Sequence, residues 1–272
     1  MTINHKGASI FYTDQGKGTP VILLHGFLEN HMMWDHFLSV LCDHHRVICI
    51  DLLGHGFSES VGYVHSMEEM AAAVAAVANQ LALKKITIIG HSMGGYVGIA
   101  FAKAYPEFVS KLCLLNSTPE ADDEARKKLR SRANVMAKKQ YEQLVRMSFI
   151  NLFDKKASTS HTAEINDALK QALNTPVQGY IAANSGMKDR PDSSEFWKTT
   201  SITTGMILGN SDLLIDAETH KISYKKSTNF FSIIESGHMS HITNATETIN
   251  NILDFLSASG SSSISKASYQ AS

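Results

Sequence analysis

The chain has few of the features that mark secreted, membrane-spanning or nucleic-acid-binding proteins. Only three of its 272 residues are cysteine, and an odd number cannot all pair within one chain. No apolar run reaches the length of a transmembrane helix, and residues 1–6 contain no hydrophobic signal segment. The formal net charge of −1 gives no bulk attraction to nucleic acid or to a membrane surface. We therefore expect a cytoplasmic protein with a small-molecule ligand; composition leaves its oligomeric state open.

The spacing of cysteine and histidine also gives no sign of a metal site. Cys49 and Cys113 lie in apolar, strand-like segments, where a free thiol behaves as a small hydrophobic side chain. A histidine-rich patch within residues 31–45 lacks the carboxylate pattern that accompanies zinc ligands. We interpret these histidines as surface residues and predict no metal.

The chain does contain a glycine-flanked serine between an apolar segment and a predicted helix. Residues 85–89 are β-branched and apolar, which predicts a buried strand, and residues 95–104 predict a helix that ends before Pro106. The motif between them is Gly90-His-Ser-Met-Gly94. A G-x-S-x-G sequence at a strand-to-helix turn is typical of a nucleophile elbow, in which a strained serine exposes its hydroxyl. Ser92 is therefore our candidate nucleophile.

A serine hydroxyl is a weak nucleophile unless a base accepts its proton, and the base needs an orienting acid. In enzymes with this elbow, the acid and then the histidine follow the serine along the chain. Asp212 follows the predicted strand 202–208, and His238 follows the predicted strand 230–234. Catalytic groups collect at such strand ends in open α/β sheets. We predict Asp212 as the acid and His238 as the base.

Each of these two residues has a competitor. Asp216 reaches the histidine if its loop curls back, but Asp212 lies nearer to the strand end, where the backbone is held more firmly. His241 lies three residues after His238, which has Gly237 before it and so suits a loop that approaches the serine closely. We expect His241 to face solvent or to begin the last helix.

Attack on a carbonyl creates an oxyanion, which requires two hydrogen-bond donors. One predicted donor is the backbone N–H of Met93, at the start of the helix after the elbow. The other is the N–H of Phe27, in the loop that follows the predicted strand 19–24. We expect His25, in the same loop, to be a hydrogen-bonded structural residue.

Taken together, these motifs resemble the α/β-hydrolase superfamily over residues 1–256. The matching segments, in order, are His25-Gly-Phe27, Asp51-Leu-Leu-Gly-His-Gly-Phe-Ser58, Gly90-His-Ser-Met-Gly-Gly95, Gly209-Asn-Ser-Asp212 and Ser236-Gly-His238. The resemblance implies an eight-stranded, mostly parallel sheet with helices on both faces and a helical cap inserted before the strand that carries the acid. It also implies a triad of Ser92, Asp212 and His238 and no cofactor. The acid loop 212–216 lacks the proline often found there, so the choice between Asp212 and Asp216 stays open.

The resemblance and the composition divide the chain into three parts. Residues 1–118 and 198–256 form the predicted core, 119–197 the cap, and 257–272 a serine-rich, disordered tail. The first cap helix has acidic residues from Glu120 and basic ones from Arg126 onward, which favours a solvated face or a basic rim that attracts anionic substrates. We expect the apolar cap residues to divide between an acyl pocket and docking contacts: Met136, Met147, Phe149, Ile150, Leu152, Phe153 and Met187.

The sequence thus predicts a serine hydrolase that cleaves small to medium carboxylic esters through an acyl-enzyme on Ser92. The same triad also serves C–C bond hydrolysis, lactone opening, perhydrolysis and elimination in this superfamily, because function depends on the pocket. A serine at the elbow argues against the dehalogenase and epoxide hydrolase branches, which by resemblance have aspartate there. A ligand sensor with slow turnover is the alternative from a different class.

Overall fold

Apolar segments form a central sheet in the computed structural model, which describes residues 1–153 and 159–258. The strands are β1 (Thr2–His5), β2 (Ala8–Gly16), β3 (Thr19–Leu24), β4 (His45–Ile50), β5 (Ile86–His91), β6 (Val109–Leu115), β7 (Thr203–Gly209) and β8 (Phe230–Ile234). Their order across the sheet is β1-β2-β4-β3-β5-β6-β7-β8, and their number confirms the predicted eight-stranded sheet. No apolar run marks β1 in the sequence, because this short polar strand at the sheet edge buries none of its residues fully.

Among the eight strands, only β2 runs against the direction of the others. β2 pairs antiparallel with both β1 and β4, and all five remaining strand pairs are parallel. The register aligns Leu24 at the end of β3 with Gly90 in β5, and Gly209 at the end of β7 with Ile234 at the end of β8. The loops that carry the predicted catalytic residues therefore leave the sheet side by side, at its carboxyl edge.

Helices cover both faces of the sheet. These helices are α1 (Asp35–Leu41), α2 (Met67–Gln80), α3 (Met93–Ala104), α9 (Ala217–Tyr224), α10 (Ser240–Thr243) and α11 (Ala245–Ser257), with 3-10 turns at His31–Trp34, Pro106–Phe108 and Lys225–Ser227. Ile22 and Ile88 pack with α2 and α3, whereas their neighbours Leu23 and Ile89 pack with α1 and α11. Successive strand residues point to opposite faces, so apolar runs such as these give a sheet with a core on each side.

Between β6 and β7, all regular elements of the described residues are helices. These are α4 (Glu124–Ala137), α5 (Tyr141–Ile150), α6 (Thr162–Leu173), α7 (Val177–Asp189) and α8 (Ser194–Thr199), here called the helical insertion. Many of its buried apolar residues, among them Val145, Phe149 and Leu169, form a third cluster together with Leu28 and Met239. The insertion therefore packs on the loops after β3 and β8.

Two boundaries differ from the sequence prediction. The first insertion helix begins at Glu124 with Asp123 as its N-cap, so Asp122 lies before the helix and is buried. The predicted disordered tail, 257–272, starts on the last residue of α11, and residues 259–272 lie outside the described part of the chain. Over the two described ranges, no helix combines the length and hydrophobicity of a bilayer span.

Candidate active site

Ser92 occupies a sharp turn between β5 and α3. Its backbone angles, φ 48° and ψ −113°, lie in a region that L-residues rarely adopt. A Cβ atom on Gly90 would stand 2.3 Å from the carbonyl oxygen of Gly94, and one on Gly94 would stand 2.3 Å from that of Leu24. Only glycine fits at both positions, so the turn requires the two flanking glycines of the motif.

Neighbouring groups hold the strained residue in place. The Ser92 N–H donates to the carbonyl of Leu115 at the end of β6 (3.0 Å), and the Ser117 hydroxyl donates to the carbonyl of Ser92 (2.7 Å). Both partners belong to β6 or the loop after it. The sheet therefore offsets part of the cost of the turn, of the order of 1–3 kcal/mol for a backbone in such a region.

The structure brings Ser92, His238 and Asp212 into one chain of hydrogen bonds. His238 Nε2 lies 3.0 Å from Ser92 Oγ, and His238 Nδ1 lies 2.8 Å from Asp212 Oδ2. Because the carboxylate only accepts, the bonding pattern assigns the proton to Nδ1 and leaves Nε2 to accept from the serine hydroxyl. This arrangement can remove a proton from Ser92 and stabilise the imidazolium that results.

The Asp212 carboxylate is buried but well supplied with donors. Its Oδ1 accepts from the backbone N–H groups of Leu214 (2.8 Å) and Ile215 (3.2 Å). Burial alone would raise the pKa of Asp212, but the His238 imidazole and these hydrogen bonds outweigh it and lower that pKa. The acid therefore stays ionised at neutral pH.

A further polar residue, Asn116, links the acid loop to the histidine loop and was not predicted. It follows β6, and its Nδ2 donates to Asp212 Oδ2 and to the carbonyl of Gly237, each at 3.2 Å. Its Oδ1 accepts from the Ser240 hydroxyl (2.7 Å). Its place directly after a buried strand is the signal that could have found it, since Asp212 and His238 also lie just past strand ends.

The two competing residues have other partners. Asp216 is the N-cap of α9, where its side chain accepts from the Thr219 N–H (2.7 Å). His241 was expected to face solvent or to begin the last helix, and both expectations are wrong. It is 5% exposed within α10, with Nε2 3.3 Å from Glu29 Oε1, and the last helix begins at Ala245. The packing of α10 against the loop after β3 buries it.

The two predicted oxyanion donors follow neighbouring strands, Phe27 after β3 and Met93 after β5. Met93 is the first residue of α3, so its N–H has no acceptor within that helix. Phe27 follows β3, the strand next to β5, and lines the same cavity as Ser92 and His238. His25 has the predicted structural role: its Nδ1 bonds to the Gly26 carbonyl (2.7 Å) and its Nε2 accepts from the Leu52 N–H (2.9 Å).

Sequence reasoning missed a buried ion pair beneath the site. His91 Nδ1 lies 2.7 Å from Glu29 Oε2, and the same oxygen accepts from the Gly26 N–H (2.6 Å). The other ring nitrogen of His91 donates to the backbone carbonyl of His238 (3.0 Å). The pair thus connects the loop after β3, the elbow and the loop after β8.

The charges of this group follow from its burial and its contacts. Burial alone would lower the pKa of His91, but the Glu29 carboxylate outweighs it and raises that pKa. Burial alone would raise the pKa of Glu29, whereas the His91 and His241 imidazoles bring it down to about 2. For His241, burial outweighs the attraction of Glu29 and lowers the pKa to about 4. At neutral pH the group is a His91–Glu29 ion pair beside a neutral His241.

These three residues are also metal-ligand types, with ligand atoms within 4.8 Å of one another in the described part of the chain. The 2.7 Å contact between His91 and Glu29 leaves no room for an ion between those two atoms, so the ion pair accounts for the geometry. The histidine patch at 31–45 contributes no residue to this cluster. His31 in that patch is not a free surface residue, because its ring contacts the Asp51 carboxylate at 2.9 Å.

A cavity of about 110 Å³ adjoins Ser92, between the sheet-edge loops and the helical insertion. The predicted apolar cap residues divide three ways around it. Leu152 and Met187 line the cavity, whereas Phe149 and Phe153 are buried in the cluster of the insertion. The other three are exposed on the surface: Met136, Met147 and Ile150. Arg126 and Arg130 of α4 also line the cavity.

Comparison with solved structures gives close matches over nearly the whole chain. A thermophilic esterase from Thermogutta terrifontis, solved with malate bound, is 30% identical with a TM-score of 0.88, covering 94% of this chain and 96% of the esterase. The enol-lactonase from Burkholderia xenovorans LB400 has the same TM-score at 18% identity, covering 95% and 100% of the two chains. At that identity the second likeness shows the fold alone.

Curated relatives match over shorter or more divergent stretches. The mouse (Mus musculus) "Serine hydrolase-like protein" is 37% identical over 105 residues, which are 38% of this chain and only 34% of that relative. The 2-hydroxy-6-oxo-6-(2'-aminophenyl)hexa-2,4-dienoic acid hydrolase of Metapseudomonas resinovorans is 26% identical over 94% of this chain and 90% of its own. The family model for the alpha/beta hydrolase fold matches residues 19–245, and the chain therefore belongs to the alpha/beta hydrolase fold family.

Proposed function

We propose that this protein is a serine hydrolase that cleaves small to medium carboxylic esters through an acyl-enzyme on Ser92. The observation that carries the proposal is the hydrogen-bonded chain from Asp212 through His238 to a serine on a strained turn. The likeness to an esterase at 30% identity over 94% of the chain supports ester substrates.

The proposed reaction uses each of these groups in turn. Ser92 Oγ attacks the ester carbonyl while His238 Nε2 accepts its proton, and Asp212 stabilises the imidazolium. The N–H groups of Phe27 and Met93 hold the oxyanion. His238 then protonates the leaving alcohol, activates a water that attacks the acyl-enzyme, and returns the proton to Ser92 as the acid leaves. Water is the only second substrate, so this reaction requires no cofactor.

The cavity favours short acyl groups. Its volume of about 110 Å³ is small for a ligand pocket, and Leu152 and Met187 supply apolar wall. We assign these two side chains to the acyl site. We further propose that the protein acts in the cytoplasm, where reducing conditions keep thiols such as Cys49 and Cys113 free.

The test is hydrolysis of p-nitrophenyl esters, from acetate to dodecanoate, by wild type and Ser92→Ala. We expect a maximum at short chains, and a loss of kcat of up to about 10⁶-fold in the variant, as for nucleophile removal in another serine hydrolase. Ser131→Ala, on the exposed side of α4, is the matched control and should keep wild-type rates. Ester turnover by folded Ser92→Ala at the wild-type rate would remove the acyl-enzyme mechanism.

The second candidate is hydrolysis of a dienoic acid, because a relative named for that activity aligns over 94% of this chain. The same three side chains can serve C–C hydrolysis, lactone opening, perhydrolysis or elimination. Folded wild type that hydrolyses none of the esters would favour these reactions. Ligand binding without turnover of any of them would indicate a sensor.

A further inference from the structure

The cavity beside Ser92 contains a guanidinium that no carboxylate of the described residues neutralises. Arg126 lies half-buried on α4 and lines this cavity together with Leu214. Its Nη2 donates to the Leu214 carbonyl at 3.0 Å, and within residues 1–153 and 159–258 it forms no ion pair. Arginine is always charged and has five N–H donors in a planar fork. Most of these donors therefore remain available to a ligand.

A second guanidinium lies one turn further along α4, and its charge is only partly neutralised. Arg130 also lines the cavity and pairs through Nε with the buried Asp122 carboxylate. The same carboxylate accepts from Arg190 Nη1 (2.7 Å), so two guanidinium groups share one negative charge. Burial alone would raise the pKa of Asp122, but the two arginines lower it, so the acid stays ionised. This group keeps a net charge of about +1.

Among the described residues of the cavity wall, no free acid offsets these cations. Glu29 is the one carboxylate among the described lining residues, and His91 already neutralises it at 2.7 Å. Near Arg126, Asp123 accepts from a backbone N–H of the helix, and Glu124 pairs with Lys127. The ionised Asp212 carboxylate behind His238 offsets one of the two positive charges, so the groups around the cavity keep a net charge of about +1, which favours anions over cations.

We propose that the preferred substrates are anionic esters, whose acyl part ends in a carboxylate that Arg126 binds, as in half-esters of short dicarboxylic acids. This inference rests on the proposed function and adds the charge of the substrate. Arg126 supplies the bidentate contact, and Arg130, held by Asp122, supplies a fixed positive charge behind it. Basic residues elsewhere on α4, such as Lys128, do not line the cavity and take no part.

The test compares mono-p-nitrophenyl glutarate with p-nitrophenyl pentanoate, which has the same acyl length without the carboxylate. Wild type should have the higher kcat/KM on the glutarate, and added NaCl should reduce that preference. Arg126→Met should lower kcat/KM on the glutarate by about 10- to 100-fold, mainly through KM, because a charge-assisted contact is lost. The loss on the pentanoate should be smaller, so that the glutarate-to-pentanoate ratio of kcat/KM falls. Lys128→Met, an exposed cation on the same helix, is the matched control and should leave both substrates unchanged.

The outcomes separate this inference from the proposed function. Ser92-dependent hydrolysis of the pentanoate, with a glutarate-to-pentanoate ratio that Arg126→Met leaves unchanged, would overturn the inference and leave the serine hydrolase standing. If wild type hydrolyses neither ester, the proposed function fails. Calorimetric titration with glutarate itself then decides the inference: weaker binding by Arg126→Met than by wild type supports it, and equal or absent binding overturns it.

Discussion

The sheet-edge loops and the helical insertion around Ser92 are held in different ways. In the loops, buried polar side chains such as Glu29, His91 and Asn116 bond to one another and to backbone groups across three strand ends. In the insertion, an apolar cluster forms most of the interior, a buried group joins Asp122 to two arginines, and other ion pairs such as Arg146–Glu142 lie on the surface. The loops therefore hold the three proposed catalytic side chains in place, while the insertion can vary the side chains that it presents to the cavity. We infer that the loops determine the reaction and the insertion the substrate.

The largest expected effect of a change in the loops, after that of Ser92→Ala, is that of Asp212→Asn. An asparagine at this position would hold the wrong tautomer of His238, and the corresponding change in another serine hydrolase lowers kcat about 10⁴-fold. Asp216→Asn is the matched control, because asparagine caps a helix about as well as aspartate and so should keep activity. The measurement is kcat on p-nitrophenyl butanoate. Equal losses of kcat in the two variants would mean that the hydrogen bond between Asp212 and His238 does not identify the catalytic acid.

The sequence could predict the loops better than the insertion, for a physical reason. The turn at Ser92 needs glycines at fixed offsets, and catalytic groups follow buried strands, so local patterns were enough to single out Ser92 and His238, which the structure brings within hydrogen-bond distance. Asp212 and Asp216 lie in one loop, and only the folded path shows that Asp216 caps a helix. Glu29 and His91 are 62 residues apart, and the parallel register alone brings them together.

In the insertion, apolar residues alone did not indicate which side would be covered. Leu152 and Ile150 are both apolar and two residues apart, yet one lines the cavity and the other is 48% exposed. The insertion helices pack on loops from other parts of the chain. The sequence of such a helix does not show which of its apolar side chains those loops will cover. The division of the cap residues into pocket, interior and surface therefore required the structure.

The second expected effect concerns stability. Glu29→Gln removes one partner of a buried ion pair and leaves the His91 charge uncompensated, which should cost about 3–5 kcal/mol of the free energy of unfolding. Glu142→Gln in the insertion breaks an exposed pair with Arg146 and should cost no more than about 0.5 kcal/mol. Urea unfolding of both variants measures the difference. Similar small losses would show that the loops do not depend on their buried charges.

The third expectation is a loss of stability in acid that originates in the loops. His241 and His55 have folded pKa values lowered by burial to about 4 and about 3, so they stay neutral in the fold but take up protons when unfolded below about pH 6.5. The unfolded state then binds more protons, and stability falls as the pH drops from 6.5 towards 4. For His241, the loss of unfolding free energy over this pH range is about 3 kcal/mol.

Two partners of His241 act in other pH ranges. The lowered pKa of Glu29 adds stability that is present above about pH 4.5 and lost towards pH 2, and the raised pKa of His91 adds stability that is lost as the pH rises through it. His241→Asn should therefore flatten the dependence between pH 6.5 and 4, as measured by urea unfolding at several pH values. An unchanged slope of the unfolding free energy against pH would mean that the loss of stability in acid does not come from the group of Glu29, His91 and His241.

The smallest expected effect is in the insertion and concerns acyl length alone. Leu152→Ala removes apolar wall from the cavity beside Ser92, so kcat/KM should rise about 3- to 10-fold for hexanoate relative to acetate, with little change on acetate itself. Ile150→Ala is the matched control, because its side chain is exposed and lies off the cavity wall. A shift in chain-length preference in Ile150→Ala but not in Leu152→Ala would mean that the acyl group extends elsewhere. If the sheet-edge loops determine the reaction and the insertion determines the substrate, the chain-length preference should shift in Leu152→Ala only, and the rate on acetate should stay unchanged.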